Sequence, residues 1–310
     1  MIAHLTKVLL ALQIFAIIAL YFLLRNIWHN IYSWLIISLS VSIILLLRFL
    51  ITLNSFYFAW LYRTKTRVAQ ELNWILAFRL LSSEFLATML SSTYTMPFCK
   101  FKKCIVNNPL GLPVLLIHGY GCNSGYWYPL SKKLLHAGIT HYAIDMEPVF
   151  GGIDDYIPQI QQAIVKLCDE TNSDRIIILA HSMGGLVARA YLRTHENSHI
   201  ARIITLGTPH HGTVLADCAI GVNSKQMRWL NRFSHEKSFN WLMTLAQSEK
   251  YAIYGLFTSI YSLHDNIIAP QLSCALPGAI NIPIQGIGHV DLAIHPTCQK
   301  LILNEIKRVH

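Results

Sequence analysis

The feature that most limits the fold of this chain is an abrupt junction between a strand pattern and a helix pattern. The aliphatic run Ile176–Leu179 leads directly into the motif A-H-S-M-G-G at residues 180–185, and a helical pattern, Leu186–His195, follows it. Small residues at Ala180 and Gly184 let the strand and the helix approach each other without clashes. A turn of this kind would expose the central serine hydroxyl at the end of a buried strand.

Other short aliphatic runs alternate with helical patterns from residue 113 onward. The runs lack the polar alternation of a half-exposed strand, so both faces of their sheet should be covered. We therefore predict an α/β fold with a mostly parallel sheet flanked by helices. The predicted strands are Val114–Ile117, Tyr142–Ile144, Ile176–Leu179, Ile203–Leu206 and Gly255–Ser259, one predicted helix is Tyr156–Thr171, and Pro97–Pro113 is a linker with a possible edge strand.

The first 70 residues have a different character, because they contain two long apolar runs, Val8–Leu24 and Ile31–Tyr62. About 20 apolar residues suffice to cross the hydrocarbon core of a bilayer. We therefore predict that residues 1–70 form a membrane anchor of two transmembrane helices. A cleavable signal peptide, a single span, and a three-pass or re-entrant layout stay open as alternatives.

The positive charge of the chain is concentrated beside these apolar runs. The net charge is +9, and residues 1–70 contain no acidic residue but contain Lys7, Arg25, Arg48, Arg63, Lys65 and Arg67. Basic residues at the ends of apolar runs indicate membrane topology rather than nucleic-acid binding. The positive-inside rule then predicts that the N-terminus and the long C-terminal part both face the cytoplasm.

Residues 71–112 are predicted to form an amphipathic helix, Leu72–Leu90, followed by a linker. The helix either lies at the membrane interface or packs on the domain that follows, and the sequence leaves both arrangements open. Residues 113–310 are predicted to form one further domain, with an insertion at about 214–254.

Candidate partners for the serine lie later in the chain. A serine hydroxyl is a weak nucleophile and needs a base within hydrogen-bonding reach. His289 lies in a glycine-flanked loop, and Asp265 follows the last predicted strand. A carboxylate there can orient a histidine and stabilise its charged form. Asp217, which follows the strand after the serine, is the alternative acid.

The Met183 N–H is a candidate for stabilising a developing negative charge, because it lies at a predicted helix N-terminus. The strand Val114–Ile117 enters a second glycine-containing turn, H-G-Y-G at residues 118–121. His118 and His181 are expected to pack beside this turn and the serine turn, and His210 and His211 are expected to shape the rim of the pocket.

These motifs occur in a recognisable order. They are H-G-Y-G at 118–121, A-H-S-M-G-G at 180–185, L-G-T-P-H-H-G-T at 206–213, S-x-x-D at 262–265 and G-x-G-H-x-x-L at 286–292. Residues 113–310 thus resemble the α/β-hydrolase superfamily, in particular its bacterial lipase and PGAP1-like deacylase branches. The resemblance implies a catalytic triad of Ser182, Asp265 and His289, with oxyanion amides from Tyr120 and Met183. Ala180 replaces the first glycine of the usual G-x-S-x-G motif.

The resemblance implies a serine ester hydrolase that works through an acyl-enzyme. The apolar segment Met227–Leu245 could form a cap, although ordinary core packing is an alternative for its side chains. A cap and a membrane anchor together favour lipid or other hydrophobic acyl esters, and we expect a bacterial inner membrane location. An acyltransferase or thioesterase, and a catalytically silent membrane scaffold, are the competing functions.

We expect no cofactor and no metal, because no histidine or cysteine cluster has metal-ligand spacing. The expected partners are a lipid or hydrophobic ester substrate and the bilayer, without nucleic acid. The sequence predicts no oligomeric state.

Overall fold

The computed structural model describes residues 1–64, 72–195, 198–229 and 241–309. Within them, one sheet has the strand order β1-β3-β2-β4-β5-β6-β7, in which β1 is antiparallel to β3 and all other neighbours are parallel. The strands are β1 Lys103–Cys104, β2 Val114–Ile117, β3 His141–Ile144, β4 Ile176–His181, β5 Ile200–Leu206, β6 Phe257–Ser262 and β7 Ile280–Ile284.

Ten α-helices accompany this sheet in the described part of the chain. They are α1 Ile2–Ile27, α2 Ser33–Leu61, α3 Trp74–Leu90, α4 Met96–Phe98, α5 Tyr128–His136, α6 Ile157–Thr171, α7 Met183–Thr194, α8 Val222–Gln226, α9 Trp241–Ser248 and α10 Pro296–Lys307. A π-helical turn, Ser91–Thr95, joins α3 to α4 without a break.

The predicted α/β fold is confirmed, with one strand that the sequence pattern did not reveal. The last predicted strand, Gly255–Ser259, begins later at Phe257 because Tyr251–Leu256 forms a 3-10 turn. The missed strand is β7, which lies at the sheet edge and is partly exposed. It contains Pro283, and proline is tolerated at an edge but argues against a strand in a sequence pattern.

Both faces of the sheet are buried, which explains the uninterrupted apolar strands. Leu115 and Ile117 of β2 pack on one face with α6, α7 and α9. Val114 and Leu116 of the same strand pack on the other face with α5 and α10. Successive side chains of a strand point to opposite faces, so a strand covered on both sides must be apolar at every position.

The strand order reverses beside β2, and this reversal fixes where a site can form. β3 lies on one side of β2 and β4 lies on the other, so the connections that follow β2 and β4 leave on different sides. A crevice opens at such a reversal, outside the carboxyl ends of the strands. Ile117 pairs with Ala180, which brings the ends of β2 and β4 to the same level.

Among the described residues, three N-terminal helices are long and apolar enough to cross a membrane: Ile2–Ile27, Ser33–Leu61 and Trp74–Phe98. The sequence predicted two such helices within residues 1–70, and the third begins after them. α1 and α2 form a hairpin in which Arg48 donates a hydrogen bond to Gln13 (2.9 Å), and Arg48 also donates to Ser92 in the π-helical turn after α3. Pairing of this kind satisfies a charged group on an apolar helix.

The third helix packs on the sheet domain with one face. Leu80, Glu84 and Ala87 of α3 are buried, whereas Phe78 and Leu86 are exposed. Of the two arrangements that the sequence left open for this helix, the structure therefore contains the packed one. The buried face of α3 carries a carboxylate into contact with the sheet domain.

A buried ion pair connects α7 to the segment after α9. Arg189 donates to both carboxylate oxygens of Glu249 (2.8 and 2.6 Å) and to the His210 carbonyl (2.8 Å).

We expect Glu249→Gln to lower the free energy of unfolding by about 3–5 kcal/mol, because it leaves the buried guanidinium of Arg189 without its counter-charge. Asp217→Asn, in the largely exposed pair with Arg228, should cost less than about 1 kcal/mol. Denaturant unfolding in detergent measures both, and equal losses would contradict the prediction.

Candidate active site

Ser182 lies in a sharp turn between β4 and α7, in a backbone conformation that few non-glycine residues adopt. Its φ is 52° and its ψ is −124°. The turn is held because the Ser182 N–H donates to Leu206 O (2.8 Å) and the Ser182 carbonyl accepts from Thr208 Oγ1 (2.9 Å). Strained residues of this kind persist where the surroundings fix them, and they concentrate at functional sites.

Gly184, the first glycine of the serine motif, lets α7 lie directly against β2. A Cβ on Gly184 would lie 2.6 Å from the Ile117 carbonyl oxygen and 2.7 Å from the His118 carbonyl oxygen. Any side chain here would push the helix away from the strand. Position 184 therefore requires a small residue because α7 and the backbone of β2 are in contact there.

The turn after β2 lies against the serine. A Cβ on Gly119 would lie 2.9 Å from Ser182 Cβ and 3.0 Å from His181 Nδ1. The structure therefore brings together the two segments that the sequence singled out, although 63 positions separate Gly119 from Ser182. The register of β2 with β4 causes this proximity.

His118 fixes the orientation of the next peptide. Its Nε2 accepts from the Met146 N–H (3.0 Å), so its Nδ1 carries the hydrogen and donates to the Gly119 carbonyl (2.8 Å). Burial lowers the pKa of His118, which favours this neutral form. In a trans peptide the N–H points opposite to the carbonyl, so the Tyr120 N–H points away from His118.

The two candidate oxyanion amides both lie beside the serine. Tyr120 follows Gly119, and Met183 follows Ser182 at the N-terminus of α7. Among the described residues, neither of these N–H groups donates a hydrogen bond. Pre-oriented amides at a helix N-terminus can bind a developing negative charge.

The structure places His289 and Asp265 in direct contact. His289 Nδ1 is 2.8 Å from Asp265 Oδ2, and both side chains are buried. The other carboxylate oxygen, Oδ1, accepts from the Ile267 N–H (2.8 Å) and the Ile268 N–H (2.7 Å). An ionised carboxylate can only accept, so Nδ1 donates and Nε2 of His289 is left to take a proton.

The environment raises the pKa of His289. Burial alone would lower this pKa, but the charge of Asp265 and its hydrogen bond more than offset the effect of burial. The neighbouring ring of His181, 4.6 Å away between centroids, behaves differently. Burial lowers the pKa of His181 well below its usual value, because this ring has no carboxylate partner.

Residues adjacent to Ser182 contact His289. His181 Nε2 is 3.1 Å from the His289 carbonyl oxygen, and a Cβ on Gly207 would lie 3.2 Å from both Asp265 Oδ2 and His289 Nδ1. Within the described residues no hydrogen bond joins Ser182 Oγ to the His289 ring. Hydrogen bonds of this kind are often long in unliganded enzymes and shorten when substrate binds.

The alternative acid, Asp217, and two other acidic residues make different contacts. Asp217 pairs with Arg228 and is exposed, so it does not contact His289. Asp145 accepts from the Ser124 N–H (2.7 Å) and pairs with Lys100 (2.5 Å). Asp291 accepts a hydrogen bond from Ser83 on α3.

A second buried serine–histidine pair differs from this site in its chemistry. Ser131 Oγ is 2.6 Å from His141 Nε2, between α5 and β3. The other ring nitrogen, Nδ1, is 2.9 Å from the Ile139 carbonyl rather than a carboxylate. Burial lowers the pKa of His141. The pair therefore lacks the acid that would stabilise a charged histidine.

The sequence did not reveal several residues that support the site. Thr208 binds the Ser182 carbonyl, and Asn266 Oδ1 accepts from the His289 N–H (3.0 Å). Asn266 directly follows Asp265, so its position was the available signal. Glu84 on α3 contacts the loop of His289, and no sequence pattern marked it because it lies about 200 residues away.

The loops that carry the site rest on the N-terminal helices. Asn123, after β2, donates to the Met96 carbonyl of α4 (2.9 Å). Asn266, after β6, donates to Ser55 of α2 (2.8 Å). The loop after β7 contacts α3 through Glu84. The edge of the sheet that holds Ser182 therefore faces the helices that are apolar enough to cross a membrane.

The proposed cap lies partly outside the described residues, since positions 230–240 belong to none of the described ranges. The described part of this segment packs into the core, because Trp241, Leu242 and Leu245 of α9 are buried against the sheet face that carries α6 and α7. For these three residues core packing, the alternative that the sequence left open, is what the structure contains.

Tight packing at Gly119 gives a testable prediction. We expect Gly119→Ala to lower kcat by about 10²-fold, because the added methyl group displaces the Tyr120 amide from the serine. Gly255→Ala is the matched control, since a Cβ there meets no atom within 4 Å. Steady-state ester hydrolysis measures both variants, and a wild-type kcat for Gly119→Ala would contradict the prediction.

Comparison with known proteins agrees with this geometry. The family described as the alpha/beta hydrolase fold matches residues 113–256. The chain is 34% identical over 122 residues to a GPI inositol-deacylase of Candida albicans, covering 32% of this chain and 31% of that protein. It is 26% identical over 113 residues to a triacylglycerol lipase of Pseudarthrobacter phenanthrenivorans, covering 34% of this chain and 35% of that protein. The chain thus spans about a third of the length of these relatives.

A solved structure extends the likeness in fold. The mature form of a Bacillus licheniformis lipase superposes with a TM-score of 0.55 at 15% identity, covering 66% of this chain and 97% of that one. The strand order with its reversal beside β2, the strained serine turn after β4 and the family match agree with one another. Residues 113–256 therefore match the α/β-hydrolase family, and the sheet domain that carries Ser182, Asp265 and His289 has the α/β-hydrolase fold.

Proposed function

We propose that this protein is a membrane-associated serine ester hydrolase that acts on lipid or other hydrophobic acyl esters. The observation that carries the proposal is the strained turn of Ser182 beside the buried His289–Asp265 pair. The lipases and the deacylase among its relatives support the same class of reaction.

In the proposed acylation step, His289 Nε2 takes the proton of Ser182 as its Oγ attacks the ester carbonyl. The Tyr120 and Met183 amides bind the oxyanion of the tetrahedral intermediate, each worth about 3 kcal/mol. The Asp265 carboxylate, hydrogen-bonded to Nδ1, stabilises the imidazolium of His289. The intermediate then collapses, the proton passes from His289 to the leaving alcohol, and Ser182 keeps the acyl group.

In the proposed deacylation step, water replaces the alcohol. His289 removes a proton from the water as its oxygen attacks the acyl carbon, and the same two amides bind the oxyanion. Collapse releases the carboxylic acid, and the proton returns to Ser182 Oγ. An alcohol in place of the water would give acyl transfer, so product analysis with an added alcohol separates a hydrolase from a transferase.

The position of the site supports a substrate that comes from a bilayer. Loops after β2, β6 and β7 rest on the apolar N-terminal helices through Asn123, Asn266 and Val290. An ester that partitions into the membrane would reach this edge of the sheet without crossing water. Large apolar side chains on the outer faces of these helices, including Phe15 and Phe22 of α1, are exposed and suit contact with lipid.

Nitrophenyl esters of increasing chain length test this substrate class. With the full-length protein in detergent micelles, we expect kcat/KM to rise from acetyl to at least octanoyl by about 10-fold or more. A 10-fold rise requires burial of only about two of the added CH₂ groups, at about 0.8 kcal/mol each. A preference for acetyl with no activity beyond butyryl would reject lipid esters while leaving the serine hydrolase mechanism intact.

We also propose a topology in which α1 and α2 cross a bacterial inner membrane and the hydrolase domain faces the cytoplasm. The Met1 ammonium contacts Glu147 of the hydrolase domain (2.6 Å), and Thr64 after α2 contacts Gln271 (3.2 Å). Both ends of the hairpin therefore meet the same domain, which supports an even number of crossings. Protease applied to intact spheroplasts should leave the C-terminus uncut, and cleavage there would reject the proposed side.

A further inference from the structure

The carboxylate of Glu84, on the third N-terminal helix α3, contacts the backbone on both sides of His289. The Val290 N–H donates to Glu84 Oε1 (2.9 Å) and the Asp291 N–H donates to Glu84 Oε2 (3.0 Å). On the other side of the histidine, a Cβ on Gly288 would lie 2.4 Å from Glu84 Oε2. The loop backbone is therefore in direct contact with one side chain that belongs to a distant helix.

Burying the carboxylate of Glu84 has a free-energy cost that an apolar side chain would not have. Glu84 is 0% exposed, and it lies on a helix that is otherwise apolar enough to cross a membrane. Burying a carboxylate is costly unless hydrogen bonds compensate it, and an apolar side chain of similar size would fill the space at lower cost. What Glu84 provides, and an apolar residue would not, is two acceptors for the amides that follow His289.

A neighbouring contact strengthens the same attachment. Ser83, the residue before Glu84, donates to the Asp291 carboxylate. The His289 N–H is held by Asn266 Oδ1, and Asn266 is held in turn by Ser55 of α2 (2.8 Å). Contacts from two N-terminal helices thus fix the backbone at and after the histidine.

We propose that Glu84 is a positioning residue, whose carboxylate on α3 holds the loop that presents His289 to Ser182. The inference rests on the proposed serine hydrolase function and adds that the active site is complete only when α3 is packed on the hydrolase domain. The carboxylate forms no bond to the substrate. It acts through the backbone of the histidine loop and through its charge.

The charged and titratable groups that face His289 come from three elements and from its own loop. Asp265 lies after β6, His181 is the last residue of β4, Glu84 lies on α3, and Asp291 is two positions after His289 in the same loop. While it is ionised, Glu84 adds to Asp265 in raising the pKa of His289. Burial raises the pKa of Glu84 itself to about 7, so Glu84 carries this charge mainly above that pH. Removing Glu84 should therefore lower the pKa of His289.

The rate of covalent labelling by a fluorophosphonate, measured on the full-length protein in detergent, tests the proposal. Glu84→Gln keeps the size of the side chain but can accept only one of the two N–H groups. We expect its labelling rate and kcat to fall by about 10- to 100-fold, because a displacement of about 1 Å in a reacting group has an effect of this size. KM should stay close to the wild-type value. Arg79→Gln, at an exposed position on the same helix, is the matched control and should label at the wild-type rate.

The pH profile separates positioning from simple loss of folded protein. His289 must be neutral to accept the serine proton, so activity falls as the pH drops through its pKa. In the wild type Glu84 gains a proton at about pH 7, so the acid limb of kcat/KM reflects both Glu84 and His289. Glu84→Gln removes the first of these groups and should move the limb to lower pH, and Glu84→Asp, which keeps a carboxyl group, should move it back. Misfolding alone would reduce the amplitude without moving the limb.

The outcomes are distinct. A wild-type protein that does not label at Ser182 rejects the proposed function. A wild type that labels, together with Glu84→Gln at an equal rate and with an unmoved acid limb, rejects only the role of Glu84. If Glu84→Gln yields no folded protein, Ser83→Ala decides, because it removes the other hydrogen bond from α3 to the same loop, at Asp291. A slower labelling rate in Ser83→Ala supports positioning of the loop by α3, and an unchanged rate overturns it.

Discussion

Replacing Ser182 with alanine is expected to lower ester hydrolysis by about 10⁶-fold, the largest effect that any single substitution in this chain should have. The reason is that the acyl-enzyme cannot form without the Ser182 hydroxyl. The remaining rate would come from the oxyanion amides and from substrate binding alone. Hydrolysis of a nitrophenyl ester and fluorophosphonate labelling measure the two consequences.

The structure predicts that this variant stays folded. The Ser182 side chain is small, and the hydrogen bonds that hold the turn involve the backbone of Ser182, which alanine retains. The thermal midpoint of Ser182→Ala should therefore match that of the wild type within a few degrees. A variant that is folded and still labels with the phosphonate would show that another nucleophile reacts.

Replacing Asp265 with asparagine is expected to lower kcat by about 10⁴-fold. The carboxylate accepts from His289 Nδ1 through one oxygen and from the Ile267 and Ile268 amides through the other. Asparagine has a single acceptor oxygen, so serving the two amides turns its NH₂ toward the histidine. The histidine would then have to accept at Nδ1 and would carry its hydrogen on Nε2, where it cannot take the serine proton.

The same substitution should change the pH dependence in a defined direction. Burial lowers the pKa of His289, and the charge of Asp265 reverses this in the wild type. Without that charge the pKa falls, so the acid limb of kcat/KM moves to lower pH while the plateau falls. Asp217→Asn is the control and should change neither quantity, because its carboxylate pairs with Arg228 on the surface. A large loss in Asp217→Asn and none in Asp265→Asn would reverse the assignment of the acid.

The sequence predicted the serine turn because its signals are local. An aliphatic run, a small-residue motif and a helix pattern follow one another within 20 residues around Ser182, so their meaning does not depend on distant contacts. The order of Ser182, Asp265 and His289 along the chain also belongs to the sequence. By contrast, β7 was missed because an edge strand that contains Pro283 lacks the apolar continuity of a central strand.

In the structure, the region before residue 113 makes contacts with the candidate active site that its sequence pattern did not predict. Hydropathy alone predicted an anchor, followed by a helix of undecided location. In the structure, the buried face of α3 carries Glu84 to the backbone beside His289. No periodicity could have shown this, because a single glutamate in an apolar helix has the same sequence pattern whether its partner is solvent or a loop 200 residues away.

The sequence by itself determined the fold class, the candidate nucleophile, its two candidate partners and the apolar character of the N-terminal helices. These follow from short-range patterns, and such patterns are fixed by the backbone geometry of strands, turns and helices. Only the tertiary structure decided that Asp265 rather than Asp217 contacts His289, that Gly119 lies against Ser182, and that α2 and α3 support the loops of the site. Such contacts depend on the order and register of the strands, which join residues far apart in the chain.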